Sequence, residues 1–159
     1  MLNRSFKLFI MSILCIGLSA CLGMGSLSYK QVKMLKQQGF VLTEEGWSLG
    51  LPERLLFDFD QAEISQKNRE QIQHLAAQLQ KYNLKKVRIV GHTDLIGNPD
   101  YNFKLSESRA RSVSTIFIEE GFNPAHIQTI GRGSTQPINT ANTDAAHAEN
   151  RRVAVIIVP

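Results

Sequence analysis

The sequence predicts an α/β sandwich, with two helices packed on one mixed sheet in the chain order βαβαββ. Three observations predict it. Apolar residues recur at helical spacing in two stretches: Ile72, Leu75, Ala76 and Leu79, then Leu105, Val113, Ile116 and Phe117. Short apolar runs at 55–59, 87–90, 127–130 and 153–158 lie before, between and after them. Gly, Asn and Pro gather between these segments, most densely over 91–101.

The chain opens on a targeting signal. Arg4 and Lys7 precede an almost unbroken apolar run over 8–18, a charged head and apolar core too short to span a bilayer as a stable helix. The run ends in Leu18-Ser19-Ala20-Cys21, which resembles a bacterial lipobox. Residues 1–20 are therefore expected to be a signal peptide, and Cys21 the acylated N-terminus. Cys15 is discarded with the signal, so the mature chain keeps no free thiol and no disulfide. Several acyl chains, at about 0.8 kcal/mol per buried methylene, make such an anchor effectively permanent. Leu22 stands where an Asp would retain a lipoprotein in the inner membrane, so the expected location is the periplasmic face of the outer membrane.

A linker over 21–51 follows. Residues 23–28 are small and polar, and 29–38 read as a short helix, with Val32 and Leu35 one turn apart and Gly39 ending it. Phe40 and Trp47 lie beyond it, separated by breaks at Gly46, Gly50 and Pro52. From Leu55 the βαβαββ pattern runs in order. A strand at 55–59 is followed by a helix that Ser65 can N-cap, and a strand at 87–90 leads into the turn 91–101. The second helix stops at Gly121, a strand at 127–130 follows, and a polar loop over 131–150 precedes the last strand.

Composition narrows the function. With 159 residues and 43% hydrophobic content, there is room for one cored domain plus targeting and linker segments. The net charge of +4 is mild and its Lys and Arg are scattered, which excludes a nucleic-acid groove. His74, His92, His126 and His147 lack metal-ligand spacing, and no nucleophile elbow, zinc motif or phosphate loop occurs, so no cofactor and no enzyme activity are expected. His92 reads as a hydrogen-bonding residue of the turn. Asp58 and Asp60 resemble paired carboxylates, yet glycosidase work needs a sugar cleft that a domain this small hardly offers.

One residue breaks its helix pattern. Arg109 lies four residues after Leu105 and four before Val113, on the apolar stripe itself. A guanidinium there needs an anionic partner or a ligand. Asp94, in Gly91-His92-Thr93-Asp94, is a candidate, with Gly91 and Gly97 allowing a tight backbone around it. The two can clamp a zwitterion, the carboxylate taking an ammonium and the guanidinium a carboxylate. They can equally form a salt bridge that holds loop to helix.

Four motifs in order carry a family resemblance: Phe57-Asp58-Phe59-Asp60, Gly91-His92-Thr93-Asp94-x-x-Gly97, Tyr101-Asn102-x-x-Leu105-Ser106-x-x-Arg109-Ala110 and Asn150-Arg151-Arg152-Val153. Over 52–159 the chain resembles the OmpA-like, or Pal-like, peptidoglycan-binding domain. The resemblance implies that Asp94 and Arg109 grip the amino and carboxylate groups of meso-diaminopimelate in the peptide stem, with Asp60, Asn102 and Arg151 around the ligand. Leu95 departs from a common Asn, Ala141 from a frequent Asn, and Ala146-His147 from the usual Gly-Arg. These departures leave the clamp intact and bear on the last loop, implying weaker affinity than a typical member has.

Residues 31–40 and Gly46-Trp47-Ser48-Leu49-Gly50 are further similar to the corresponding segment of YfiB lipoproteins. That likeness implies a YfiR-like periplasmic repressor as partner, whose sequestration releases a diguanylate cyclase and raises cyclic di-GMP. The competing expectation is a purely structural tether between outer membrane and cell wall. Leu35, Phe40 and Trp47 either fold back and patch the core, with Trp47 covering a sheet edge, or form an apolar docking surface; as candidate partner-binding residues they are expected to pack loosely on the domain at rest and to be exposed in the active state. The expected partners are thus peptidoglycan, the membrane through acyl chains, the repressor and a second copy of the chain.

Overall fold

The computed structural model describes residues 27–57 and 62–158. Cys21, Asp58 and Asp60, and the signal-peptide reading, lie outside the described residues.

Helix α1 spans Tyr29–Gln37, and its start is a reciprocal cap. Gln31 N donates to Ser28 Oγ, while Ser28 N donates to Gln31 Oε1. Gly39, at φ +88°, ends it by adopting the left-handed conformation that L residues avoid. Strands β1 (Val41–Thr43) and β2 (Gly46–Pro52) form a hairpin, and a 3₁₀ turn follows at Glu53–Leu55. Next come α2 (Gln66–Lys81), β3 (Val87–His92), α3 (Pro99–Glu119), β4 (Ile127–Gly131), α4 (Asp144–Asn150) and β5 (Arg152–Ile157).

The sheet order is β1-β2-β5-β3-β4, with β3 and β4 parallel and the other pairs antiparallel. The C-terminal strand is central: Val155 lies opposite Leu49 on one side and Ile89 on the other. Val87, Ile89, Val153, Val155 and Ile157 bury one sheet face against Ile72, Leu75, Ala76 and Leu79 of α2 and Val113, Ile116 and Phe117 of α3. β5 is apolar on both faces because Ala154 and Ile156 join Val90 in a second, smaller cluster. The α/β architecture is therefore the one the periodicities predict, with the expected short helix as α1 and with β1 and α4 added.

Three expectations need correction. The first long strand among the described residues is Gly46–Pro52, because Trp47, Leu49 and Leu51 alternate with Gly46, Ser48 and Gly50 and the apolar set faces the core; of the strand expected at 55–59, Leu55 ends the 3₁₀ turn and residues 58–59 lie outside the described residues. Phe57 makes only an isolated bridge to Ile64. The loop over 131–150 contains α4, which Thr143 caps by accepting from Ala146 N. His92 is the last residue of β3, opposite Arg152, rather than a turn residue.

The segment read as a linker contributes to the core. Leu35 is 0% and Phe40 3% exposed, and half-buried Trp47 packs against the same cluster. Leu35 and Phe40 are thus tightly rather than loosely packed.

Two close approaches position the site. A Cβ on Gly91 would lie 1.9 Å from Ser106 O, and one on Gly131 2.7 Å from Glu107 N. Only glycine lets the ends of β3 and β4 reach α3 this closely, and this seats the loop after β3 beside Arg109.

Candidate ligand site

A cavity of about 610 Å³ opens where the 3₁₀ turn, the loop after β3, α3 and the start of β5 converge. Its walls include Glu53, Asp94, Tyr101, Asn102, Arg109 and Arg151.

The loop is held by its own polar atoms. Thr93 N donates to Gly133 O, Ile96 N donates to Asp94 Oδ1, and Asn102 Nδ2 donates to Ile96 O. Asn98 Oδ1 accepts from Asp100 N and Tyr101 N, capping α3 directly behind the loop. Asp94 therefore has one oxygen fixed in the turn and the other turned to the cavity wall.

Arg109 is 3% exposed, with its guanidinium 5.2 Å from the Phe57 ring centroid. Its Nη2 donates to Glu53 Oε1 at 2.7 Å. Arg151 bridges two carboxylates, with Nη1 2.7 Å from Asp94 Oδ2 and Nε 2.9 Å from Glu53 Oε2. The second contact is an ion pair without a directed hydrogen bond: Glu53 Oε2 is buried and accepts none among the described residues. The result, among the described residues, is a chain of alternating charge, Arg109–Glu53–Arg151–Asp94.

Four of the expected site residues are thus brought together: Asp94, Asn102, Arg109 and Arg151 all line the cavity. Asp94 and Arg109 do not satisfy each other in a simple bridge, for Arg151 takes the aspartate and Glu53 takes Arg109. Asn102 spends its amide nitrogen on the loop. Asn150 is wholly buried, accepting from Ile138 N and Asn139 N, so this motif residue holds the last loop.

Glu53 was missed in the sequence. The only signal is its place directly after Pro52, where a strand ends, and a glutamate in such a position reads as surface.

A family model described as the OmpA family matches residues 56–151. The chain belongs to the OmpA family. Outer-membrane lipoprotein YfiB of Pseudomonas aeruginosa is 38% identical over 158 residues, covering 98% of this chain and 94% of that protein. Putative lipoprotein YfiB of Escherichia coli is 37% identical over 134 residues, covering 84% of each. The crystal structure of the peptidoglycan-associated lipoprotein from Burkholderia pseudomallei matches with a TM-score of 0.56 at 27% identity, over 64% of this chain and 86% of that one.

This OmpA-family protein is an outer-membrane lipoprotein on the periplasmic side. Among the described residues no helix is long and apolar enough to cross a membrane. The family match starts at Leu56, so Glu53 lies just outside it and reaches into the cavity from the N-terminal segment.

Proposed function

We propose that the cavity binds the diaminopimelate end of a peptidoglycan stem peptide, and that the protein is a non-covalent, non-catalytic grip on the cell wall. One observation carries this reading: a nearly buried guanidinium and a carboxylate face the same open cavity, each paired with an opposite charge among the described residues. A zwitterion enters such a cluster without leaving a net charge buried, whereas a lone anion or cation would. The likeness to a peptidoglycan-associated lipoprotein supports the same ligand class.

Two further parts of the proposal rest on resemblance. Acyl chains on Cys21 anchor the protein in the outer membrane. The likeness to YfiB lipoproteins, which extends through the N-terminal segment, supports sequestration of a YfiR-like periplasmic repressor and so activation of a diguanylate cyclase. A structural tether is the second reading, favoured by the burial of Leu35 and Phe40, which gives those side chains a role in the core.

The test is co-sedimentation of the detergent-solubilised protein with sacculi, comparing wild type with Asp94→Ala and Arg109→Ala. Loss of binding by at least about tenfold in folded variants is expected, since a charge-assisted hydrogen bond contributes about 1.5–3 kcal/mol. Undiminished binding would reject the site. Capture of a YfiR-like protein with and without sacculi separates the signalling reading from the tether.

A further inference from the structure

Glu53 belongs to neither half of the zwitterion clamp, yet it occupies the clamp's cation. Its backbone is fixed at the end of β2, where Glu53 N donates to Arg151 O and Glu53 O accepts from Leu56 N and Phe57 N. From there its side chain, 15% exposed, places Oε1 2.7 Å from Arg109 Nη2. That is the distance and geometry a ligand carboxylate would seek.

We infer that Glu53 is an internal stand-in for the ligand's carboxylate, and that stem-peptide binding is an exchange of ion-pair partners. The inference rests on the stem-peptide reading and adds to it a residue that sets the affinity for the ligand carboxylate. In the exchange, the ligand carboxylate takes Arg109. Glu53 then turns fully onto Arg151, whose Nε already lies 2.9 Å from Oε2, an oxygen with no directed hydrogen bond to lose. Arg151 in turn releases Asp94, now 2.7 Å from its Nη1, and the aspartate receives the ligand ammonium. Every charge is paired before and after. Arg151 can follow because it is 38% exposed, while Arg109, at 3%, stays in place.

This arrangement has a consequence for selectivity. A carboxylate can displace Glu53 because it brings an equivalent charge-assisted bond. A neutral carboxamide cannot replace that bond, and leaving Glu53 on Arg109 keeps Asp94 occupied as well. The internal glutamate therefore weakens binding only of ligands that take Arg109, and a ligand without the free carboxylate leaves the Glu53–Arg109 pair in place.

The experiment uses the full chain in detergent with two synthetic probes: L-Ala-γ-D-Glu-meso-diaminopimelate and the same tripeptide with the diaminopimelate carboxylate next to its free amine converted to the amide. Glu53→Gln should bind the carboxylate form about tenfold more tightly than wild type, because the competing charge is gone. Its affinity for the amide should change little, so the ratio between the two probes widens. Glu53→Asp, one methylene shorter and still charged, should shift in the same direction by less.

Thermal unfolding of each variant serves as the folding control. Weaker or unchanged carboxylate binding by a folded Glu53→Gln would mean that Glu53 merely positions Arg109, and would overturn the exchange. If Glu53→Gln does not fold, Glu53→Asp decides by the same criterion. If wild type binds neither probe, the stem-peptide reading fails and the exchange fails with it.

Discussion

Arg151 Nη1 lies 2.7 Å from Asp94 Oδ2, closing a contact between residues 57 apart in the sequence. The pair ties the loop after β3 to the start of β5. It also means that the aspartate meets the cavity with its charge already compensated, as Arg109 does through Glu53. Among the described residues these charges are thus mutually paired, and a ligand that offers both charges can exchange with both pairs.

Arg109→Lys tests the geometry of this site. A lysine keeps the charge but lacks the planar fork that can hold one carboxylate while stacking on Phe57, so sacculus binding should fall by about tenfold or more. Co-sedimentation checks it, with unfolding temperature as control. Wild-type binding would show that only the charge matters.

Gly91→Ala should destabilise the fold. The new Cβ would sit 1.9 Å from the backbone carbonyl oxygen of Ser106, which no rotamer change relieves. β3 and α3 must move apart, at a cost of about 1–3 kcal/mol or more. Denaturant unfolding measures it, and an unchanged midpoint would contradict the close packing described.

Leu35→Ala tests whether the N-terminal segment is part of the folded unit. Leu35 is 0% exposed in the main core, so its truncation should cost about 2–5 kcal/mol. The loss should appear in the single cooperative transition of the whole domain. A variant as stable as wild type would restore the reading of this segment as a detachable docking surface.

Acid sensitivity should trace partly to His92. Burial, aided by the neighbouring Arg152 and Arg132 guanidinium groups, lowers its pKa from 6.5 to about 3. Between those values the unfolded chain binds a proton that the folded one does not, so stability falls as pH drops through this window. His92 contributes no such loss above about pH 6.5. His92→Gln should therefore lose less unfolding temperature than wild type between pH 7 and pH 5.5, before most carboxylates titrate. Equal losses would count against a neutral, buried imidazole.

The lipid anchor has its own test. Cys21→Ser removes the thiol proposed to carry the acyl chains, so the precursor should stay unprocessed and leave the outer-membrane fraction. Normal processing and partition of that variant would sink the anchor.

Local pattern was enough for much of this protein. The stripes of α2 and α3 are written at helical period, and β3, β4 and β5 as short apolar runs, because each element must bury one face or both whatever its neighbours are. Arg109 was legible for the same reason, since a charge on a buried stripe contradicts the pattern around it. Asp94 followed from its glycine-flanked turn and its motif.

The rest depended on contacts that no period encodes. β2 was hidden because glycine and serine fill the face of the strand turned away from the core, and only pairing with β5 reveals it. Leu35 and Phe40 read equally as anchors for a partner or as core, since apolarity says that a side chain will be covered but not by what. The identity of the ion pairs was decided last. Sheet order β2-β5-β3 brings the end of β2, the start of β5 and the loop after β3 to one cavity, so that Glu53 reaches Arg109 across 56 residues and Arg151 stands between the two carboxylates. Coulomb attraction acts on distance in space, and that distance exists only once the sheet has formed.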